Sequence, residues 1–260
     1  NVQLKNVEYI EDRVFRNCKS LEKLILPEGL EYIGSECIAG TGISKIEIPS
    51  SVTKCEGPLG RESDGALGGA LNLEEVVFAE GMKRIPGYIC YNHKNNSTLK
   101  KVVIPDSVTE IGRYAFYDCG GITEINFKEK IREINDYAFE NCTELVNIQI
   151  PDSVTSIGFA AFKGCSNLKD IELPSGITKI GDAAFQQCTG ITRIELPKNV
   201  KELGECAFLE CCSLQSINIP SSVTVIGEGA FSECSNLTAI TWNENTYNSV
   251  DEFLGAFNNK

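Results

Sequence analysis

The chain has 260 residues, of which 42% are hydrophobic and 23% charged, with a formal net charge of −12. That balance excludes a disordered chain, which would lack the apolar residues to build a core. The acidic excess argues against a nucleic-acid partner, since phosphate binding needs clustered Lys and Arg, and no apolar run approaches the roughly 18 residues of a membrane span. The chain starts at Asn1 rather than Met, as expected after loss of a signal peptide or excision from a longer polypeptide.

At the N-terminus, Val7, Ile10, Phe15 and Cys18 show a spacing that returns at Val108, Ile111, Phe116 and Cys119. Ten short strands rich in β-branched residues are predicted after that, over 21–26, 43–48, 73–78, 99–104, 122–127, 145–150, 168–173, 191–196, 214–219 and 237–242. Seven of them end on a proline: Pro27, Pro49, Pro105, Pro151, Pro174, Pro197 and Pro220. Proline there needs no ladder donor and opens a turn. A second, shorter extended piece such as 154–157 follows, and then a glycine seat occupied by Gly112, Gly158, Gly181, Gly204 and Gly227, with Asn135 as the one substitute. Glycine replaced by Asn predicts a backbone position at positive φ. Ala161-Phe162-x-x-Cys165 then fits one or two turns of α or 3₁₀ helix with those three side chains inward, too short to stand alone.

From Phe116 onward the phenylalanines 116, 139, 162, 185, 208 and 231 recur every 23 residues, each followed three residues later by a cysteine. A period of 23 lies within the 20–29 of leucine-rich repeats. One such unit cannot bury its apolar side alone, so successive units must stack. The fold class is therefore a repeat solenoid of the leucine-rich-repeat kind, α/β but strand-rich. It has a parallel strand ladder, short helical or 3₁₀ turns and about ten repeats of 23 residues. The expectation is one solenoid over 1–260, interrupted at 56–72 and 91–97, with a degenerate coil over 243–260 whose Trp242, Tyr247, Phe253 and Phe257 cover the end of the core.

Of the twelve cysteines, seven occupy one template position and should form a column. Parallel side chains at strand spacing rarely reach disulfide geometry, so they read as reduced thiols serving as small apolar fillers. The alternatives are a bridged or metal-binding column.

The template Ile-Pro-x-Ser-Val-x-x-Ile-Gly-x-x-Ala-Phe-x-x-Cys-x-x-Leu resembles the BspA-like leucine-rich repeats, over about residues 7 to 237. The resemblance implies a secreted or surface-attached protein, mostly of bacteria living on animal hosts, that adheres to host proteins or other cells. It brings no catalytic residues with it.

Convergent catalytic groups are not apparent in the sequence. His93 is the only histidine and sits in an Asn-rich insertion, so Ser-His-Asp or Cys-His chemistry would have to rest on it. The glycine-rich stretch 57–69 matches no phosphate-binding loop. No catalytic, metal or cofactor residues are assigned, and no enzyme activity is expected.

What remains is the outward row of the strands: Ile25, Glu47, Val77, Val103, Asn126, Gln149, Glu172 and Glu195, continued by Asn218 and Thr241. Its first part carries apolar side chains at solvent positions and is the candidate contact patch. Glu172 and Glu195 recur at template spacing and read as a solvated face rather than a carboxylate pair. The expected function is a non-catalytic, extracellular or cell-surface protein-binding or adhesion module whose partner is a host matrix or cell-surface protein. The alternative is a structural spacer within a larger cell-wall or secreted protein.

Overall fold

A computed structural model describes residues 1–55, 57, 64–92 and 98–259. The chain winds as a stacked series of coils, each with a front strand, a turn (at proline in seven of them), a short back strand and a turn segment. Front strands run from Val2–Gln3 and Leu24–Ile25 through Lys45–Ile48 and Glu75–Phe78 to Ser216–Ile219 and Ala239–Trp242. Back strands run from Tyr9–Ile10 to Val225–Ile226. Within each ladder the pairing is parallel and template positions face one another, as in Ile125↔Ile148 and Ile148↔Ile171. The strand Val2–Gln3 pairs with Leu24–Ile25, one front strand more than the ten predicted.

Alternation explains which residues point inward. In Lys45–Ile48 the burial pattern is exposed, buried, exposed, buried, so Ile46 and Ile48 join the core while Lys45 and Glu47 face solvent. All seven prolines accept a turn hydrogen bond from the residue three further on, for example Val154 N–H to Pro151 O at 2.9 Å. The serine of the Pro-x-Ser-Val motif has its own task. Ser51, Ser153 and Ser222 donate from Oγ to Leu30, Ile131 and Val200 carbonyls of the preceding coil.

The turn segments differ from expectation in two ways. No helix forms over Ala161–Cys165 or its equivalents; the chain makes consecutive turns instead. In most segments two residues are left-handed: one before the alanine, such as Tyr114 (φ 56), Tyr137 (57) or Ala183 (54), and one before the cysteine, such as Asp118 (55) or Asn141 (59). This alternation aims every second N–H along the stack. Tyr114, Phe116 and Asp118 donate to Asp136, Ala138 and Glu140 carbonyls at 3.1, 2.9 and 2.8 Å. A helix would have spent these donors on itself, whereas here they form a third inter-coil ladder.

The second correction concerns the glycine seat. Neither Asn135 nor the glycines it replaces are at positive φ. Glycine is needed there because the preceding coil lies so close. A Cβ on Gly158 would sit 2.5 Å from Asp136 N, and one on Gly227 would sit 2.4 Å from Glu205 N. Asn135 instead donates from Nδ2 to Ile111 O at 2.9 Å and to Glu110 Oε1 at 2.7 Å.

One apolar cluster runs from Ile10 to Phe253. Phe116, Phe139, Phe162, Phe185, Phe208 and Phe231 form its axis, with centroids 5.2, 5.5, 5.6, 5.7 and 5.6 Å apart and planes within 14° of parallel. Beside them stands the cysteine column, buried except for exposed Cys18, which departs from the reading; all twelve cysteines are free thiols. The thiols are also more than fillers. Cys142, Cys165, Cys188, Cys211 and Cys234 each donate to the phenylalanine carbonyl of the preceding coil, at 3.1–3.3 Å. Thr41 takes the same seat in an early coil and donates to Ile38 O at 2.8 Å. The seat therefore selects a small side chain with one hydrogen to give.

At the C-terminal end the expected degenerate coil is replaced by a hairpin and a helix. Asn245–Tyr247 runs back antiparallel along Ala239–Trp242, turning at Asn243 and Glu244, both left-handed (φ 48 and 66). Helix α1, Val250–Asn258, follows. Its start is a capping box: Ser249 Oγ accepts from Glu252 N–H, and Glu252 Oε2 accepts from Asn248 N–H. Trp242, Tyr247, Phe253 and Phe257 pack together over the last coil, with Phe253 wholly buried.

Of the two interruptions, 58–63 and 93–97 lie outside the described residues, as does His93. Residues 64–72 read as insertion but belong to a regular coil: Cys37 N–H donates to Ala66 O, and Leu67 N–H to Ile89 O.

Candidate protein-binding face

The front strands bring the eight nominated side chains onto one surface. Glu47, Val77 and Val103 are direct cross-strand partners, and so are Asn126, Gln149, Glu172 and Glu195 in sequence. Ile25 pairs with Gln3 and is 41% exposed. Val77 and Val103 are half-buried, while the remaining five are exposed. This rib of side chains stays in register within each sheet, with breaks in strand pairing between Ile25 and Glu47 and between Val103 and Asn126.

The rib changes character along its length. Beside Val77 and Val103, Glu75 is held between Lys45 Nζ at 3.3 Å and Lys101 Nζ at 3.0 Å. Hydrogen bonding from Lys101 is the main cause that keeps the Glu75 carboxyl below its ordinary value; burial works against it, and Lys45 adds to the lowering. With two lysines to one glutamate, the triad keeps one net positive charge, and the two valines are the apolar feature beside it. Next to it a groove of about 560 Å³ is lined by Lys23, Ile25, Leu26, Glu28, Lys45 and Glu47 among others. Further along, Glu172 and Glu195 face each other as like charges, which costs stability in a ladder, and Arg193 pairs with Glu195. Grooves there are lined by Glu172, Arg193 and Glu195, and by Asn218 and Thr241.

A second cluster escaped the sequence reading. Tyr88, Tyr91, Tyr114, Tyr117 and Tyr137 gather on the outside of the turn segments, and Phe159 packs edge-on to Tyr137 at 5.0 Å. Their spacings of 26 and 23 residues were visible in the sequence. They stood in outward seats of the turn segment, which the sequence reading did not follow as a column. A buried carboxylate was also missed. Glu36 is 5% exposed and takes Arg13 Nε at 3.0 Å, Arg13 Nη2 at 3.3 Å and Arg16 Nη1 at 3.2 Å. Burial works against ionisation of Glu36, yet the Arg13 hydrogen bonds, the Asp64 N–H and the two guanidinium charges bring its pKa below the ordinary 4.5.

Burial raises the thiols of the buried part of the column, from Cys119 to Cys234. Cys119 is pushed up to about 12 and Cys234, near the end, to about 11. Such groups stay protonated near neutrality, which suits donors and not nucleophiles. Among the described residues, no helix is long and apolar enough to cross a membrane.

The model of the BspA type leucine rich repeat region matches residues 1–94, 83–211 and 155–259, with six copies. Among solved structures, the chain is similar to a leucine-rich repeat protein from Bacteroides ovatus, at 25% identity over 90% of this chain and 70% of that one, with a TM-score of 0.61. It is similar also to a leucine-rich repeat protein from Eubacterium ventriosum, at 24% identity over 91% and 72%, TM-score 0.57. A Treponema pallidum (T. pallidum) leucine rich repeat protein aligns at 22% identity over 75% and 78%, TM-score 0.51. Among curated proteins none matches. With the family model matching nearly the whole chain and the coils stacked in register, this repeat protein belongs to the BspA-type leucine-rich repeat family.

Proposed function

We propose that the protein is a non-catalytic adhesion module that works outside the cell, engaging a host matrix or cell-surface protein through the front rib. Residues from Ile25 to Val103 form the primary contact. The observation that carries this reading is the set of apolar side chains on the outer row, exposed Ile25 with half-buried Val77 and Val103, beside a groove and the Lys45–Glu75–Lys101 ion triad. Solvated strand faces normally carry polar side chains, so aliphatic groups on the outer row next to a concavity support a contact surface there. The polar stretch from Asn126 to Glu195 serves as the rim.

The test is binding of the purified chain to a panel of immobilised matrix and cell-surface proteins. Val103→Lys places a charge in the proposed contact, and Gln149→Lys places one in the rim. Loss of at least about tenfold in affinity for Val103→Lys, with a smaller change for Gln149→Lys, is the expected result. Equal affinity of Val103→Lys and wild type for the captured partner would remove the patch.

A further inference from the structure

The front ladder is interrupted on both sides of the sheet that carries Val77 and Val103. Strands Lys45–Ile48, Glu75–Phe78 and Lys101–Val103 pair with one another, but neither with Leu24–Ile25 before them nor with Glu124–Asn126 after them. At regular joints the residue that opens each front segment donates to its equivalent in the coil before. Lys100 N–H bonds Glu74 O and Val146 N–H bonds Thr123 O, each at 3.0 Å. Among the described residues, Thr123 N–H makes no such bond to Lys100 O. Thr123 is exposed, so this backbone donor is left to solvent or to a partner.

A groove lies at each break, and the two differ in charge. The one before the sheet sets Glu22, Glu28 and Glu47 against Lys23 and Lys45. The one after it, of about 300 Å³, is lined by Val103, Thr123, Glu124 and the lysines 100, 101 and 128 among others. Three ammonium groups there face one carboxylate. Lys100 is exposed and makes no ion pair among the described residues. Lys101 shares the single carboxylate of Glu75 with Lys45, so a positive charge is left over. Lys128 meets Asp106 at 3.4 Å, but that aspartate side chain is 74% exposed, and a pair so open to water contributes little. In a chain of net charge −12 this groove is a local positive site beside an aliphatic one.

We propose that the groove between Val103 and Asn126 receives a carboxylate of an extended, acidic partner segment, whose neighbouring aliphatic side chain lies on Val77 and Val103. The inference rests on the rib from Ile25 to Val103 being the contact, and it names the partner's chemistry there. Lys100 supplies a charge that is not already spent, and Thr123 N–H a directed hydrogen bond; a carboxylate accepts both, and such charge-assisted bonds are the strong ones. Glu124 opposes the incoming charge and limits affinity. The rest of the protein repels an acidic peptide at long range, so binding of one reports the local site and not a general attraction.

The probe is a fluorescent peptide of alternating leucine and aspartate, followed by anisotropy at physiological ionic strength, with an asparagine version alongside. Wild type should bind the aspartate peptide at least about tenfold more tightly than the asparagine one. Lys100→Gln should weaken binding by about threefold to tenfold, and Glu124→Gln should tighten it by about twofold or more. Lys169 holds the template position of Lys100 three coils further on, so Lys169→Gln removes the same charge elsewhere and should leave binding unchanged. All three side chains are exposed, and the variants keep the fold. No preference for aspartate, undiminished binding by Lys100→Gln, or an equal loss from Lys169→Gln would overturn the proposal. The rib itself is judged separately, by Val103→Lys and the captured matrix or cell-surface protein. If that variant loses the captured protein while Lys100→Gln keeps the peptide, the groove assignment falls and the rib stands.

Discussion

Replacing Phe162 with alanine tests the load carried by the ring stack. Phe162 is fully buried and sits between Phe139 at 5.5 Å and Phe185 at 5.6 Å, each within 4° of parallel. Truncating a buried phenylalanine costs about 3–5 kcal/mol through lost transfer energy and the cavity left behind. Two stacked partners lose contact at once, each pair being worth about 0.5–1.5 kcal/mol beyond buried area, so the upper half of that range is expected. Phe231 supplies the internal comparison: it has one phenylalanine neighbour in the stack and is 3% exposed, so Phe231→Ala should cost less, by about 1 kcal/mol. Urea unfolding followed by far-UV circular dichroism gives both values, with the slope checked for unchanged cooperativity. Because repeats couple to their neighbours, the cycle Phe139→Ala, Phe162→Ala and their combination should show a coupling of about 0.5–3 kcal/mol. A cost below about 1 kcal/mol for Phe162→Ala, or no difference from Phe231→Ala, would refute the axis as the main stabilising feature.

Three further outcomes follow from the same geometry. At pH 8 a thiol reagent should label exposed Cys18 quickly, while Cys119 and Cys165, buried and shifted upward, react only on unfolding; equal rates by mass spectrometry would contradict the buried column. Gly158→Ala should destabilise by about 1–3 kcal/mol because its methyl would overlap Asp136 N, and a neutral melting temperature would show that the coils can move apart. Glu36 has a lower pKa folded than its ordinary 4.5, so its stabilising contribution is present above that value and is lost as pH falls through the folded one. Glu36→Gln should therefore remove part of the acid sensitivity of the wild type below about pH 4.5, measured as melting temperature against pH; parallel pH curves would sink the assignment.

Much of the coil was legible because it repeats. A residue that returns every 23 positions must meet its own copy, so the inward Ile, Phe and Cys columns and the outward rib from Glu47 to Glu195 could be read as lines before any contact was known. The seven prolines were likewise legible, since their turn is local. Misreadings arose where one residue type has two physical uses. Glycine serves both positive φ and close approach, and the substitute Asn135 pointed to the former when the latter applied. Ala-Phe-x-x-Cys has helical spacing, yet its N–H groups go to the next coil.

Period and polarity of side chains, properties of the chain itself, determined that this protein stacks and which side chains lie inside. The distance between coils decided the rest. It requires glycine at 158 and 227, turns the thiols into donors to neighbouring carbonyls, and gathers tyrosines from three segments into one surface. Those features depend on what lies 23 or 26 residues away in sequence and a few ångströms away in space, so they exist only once the coils are in contact.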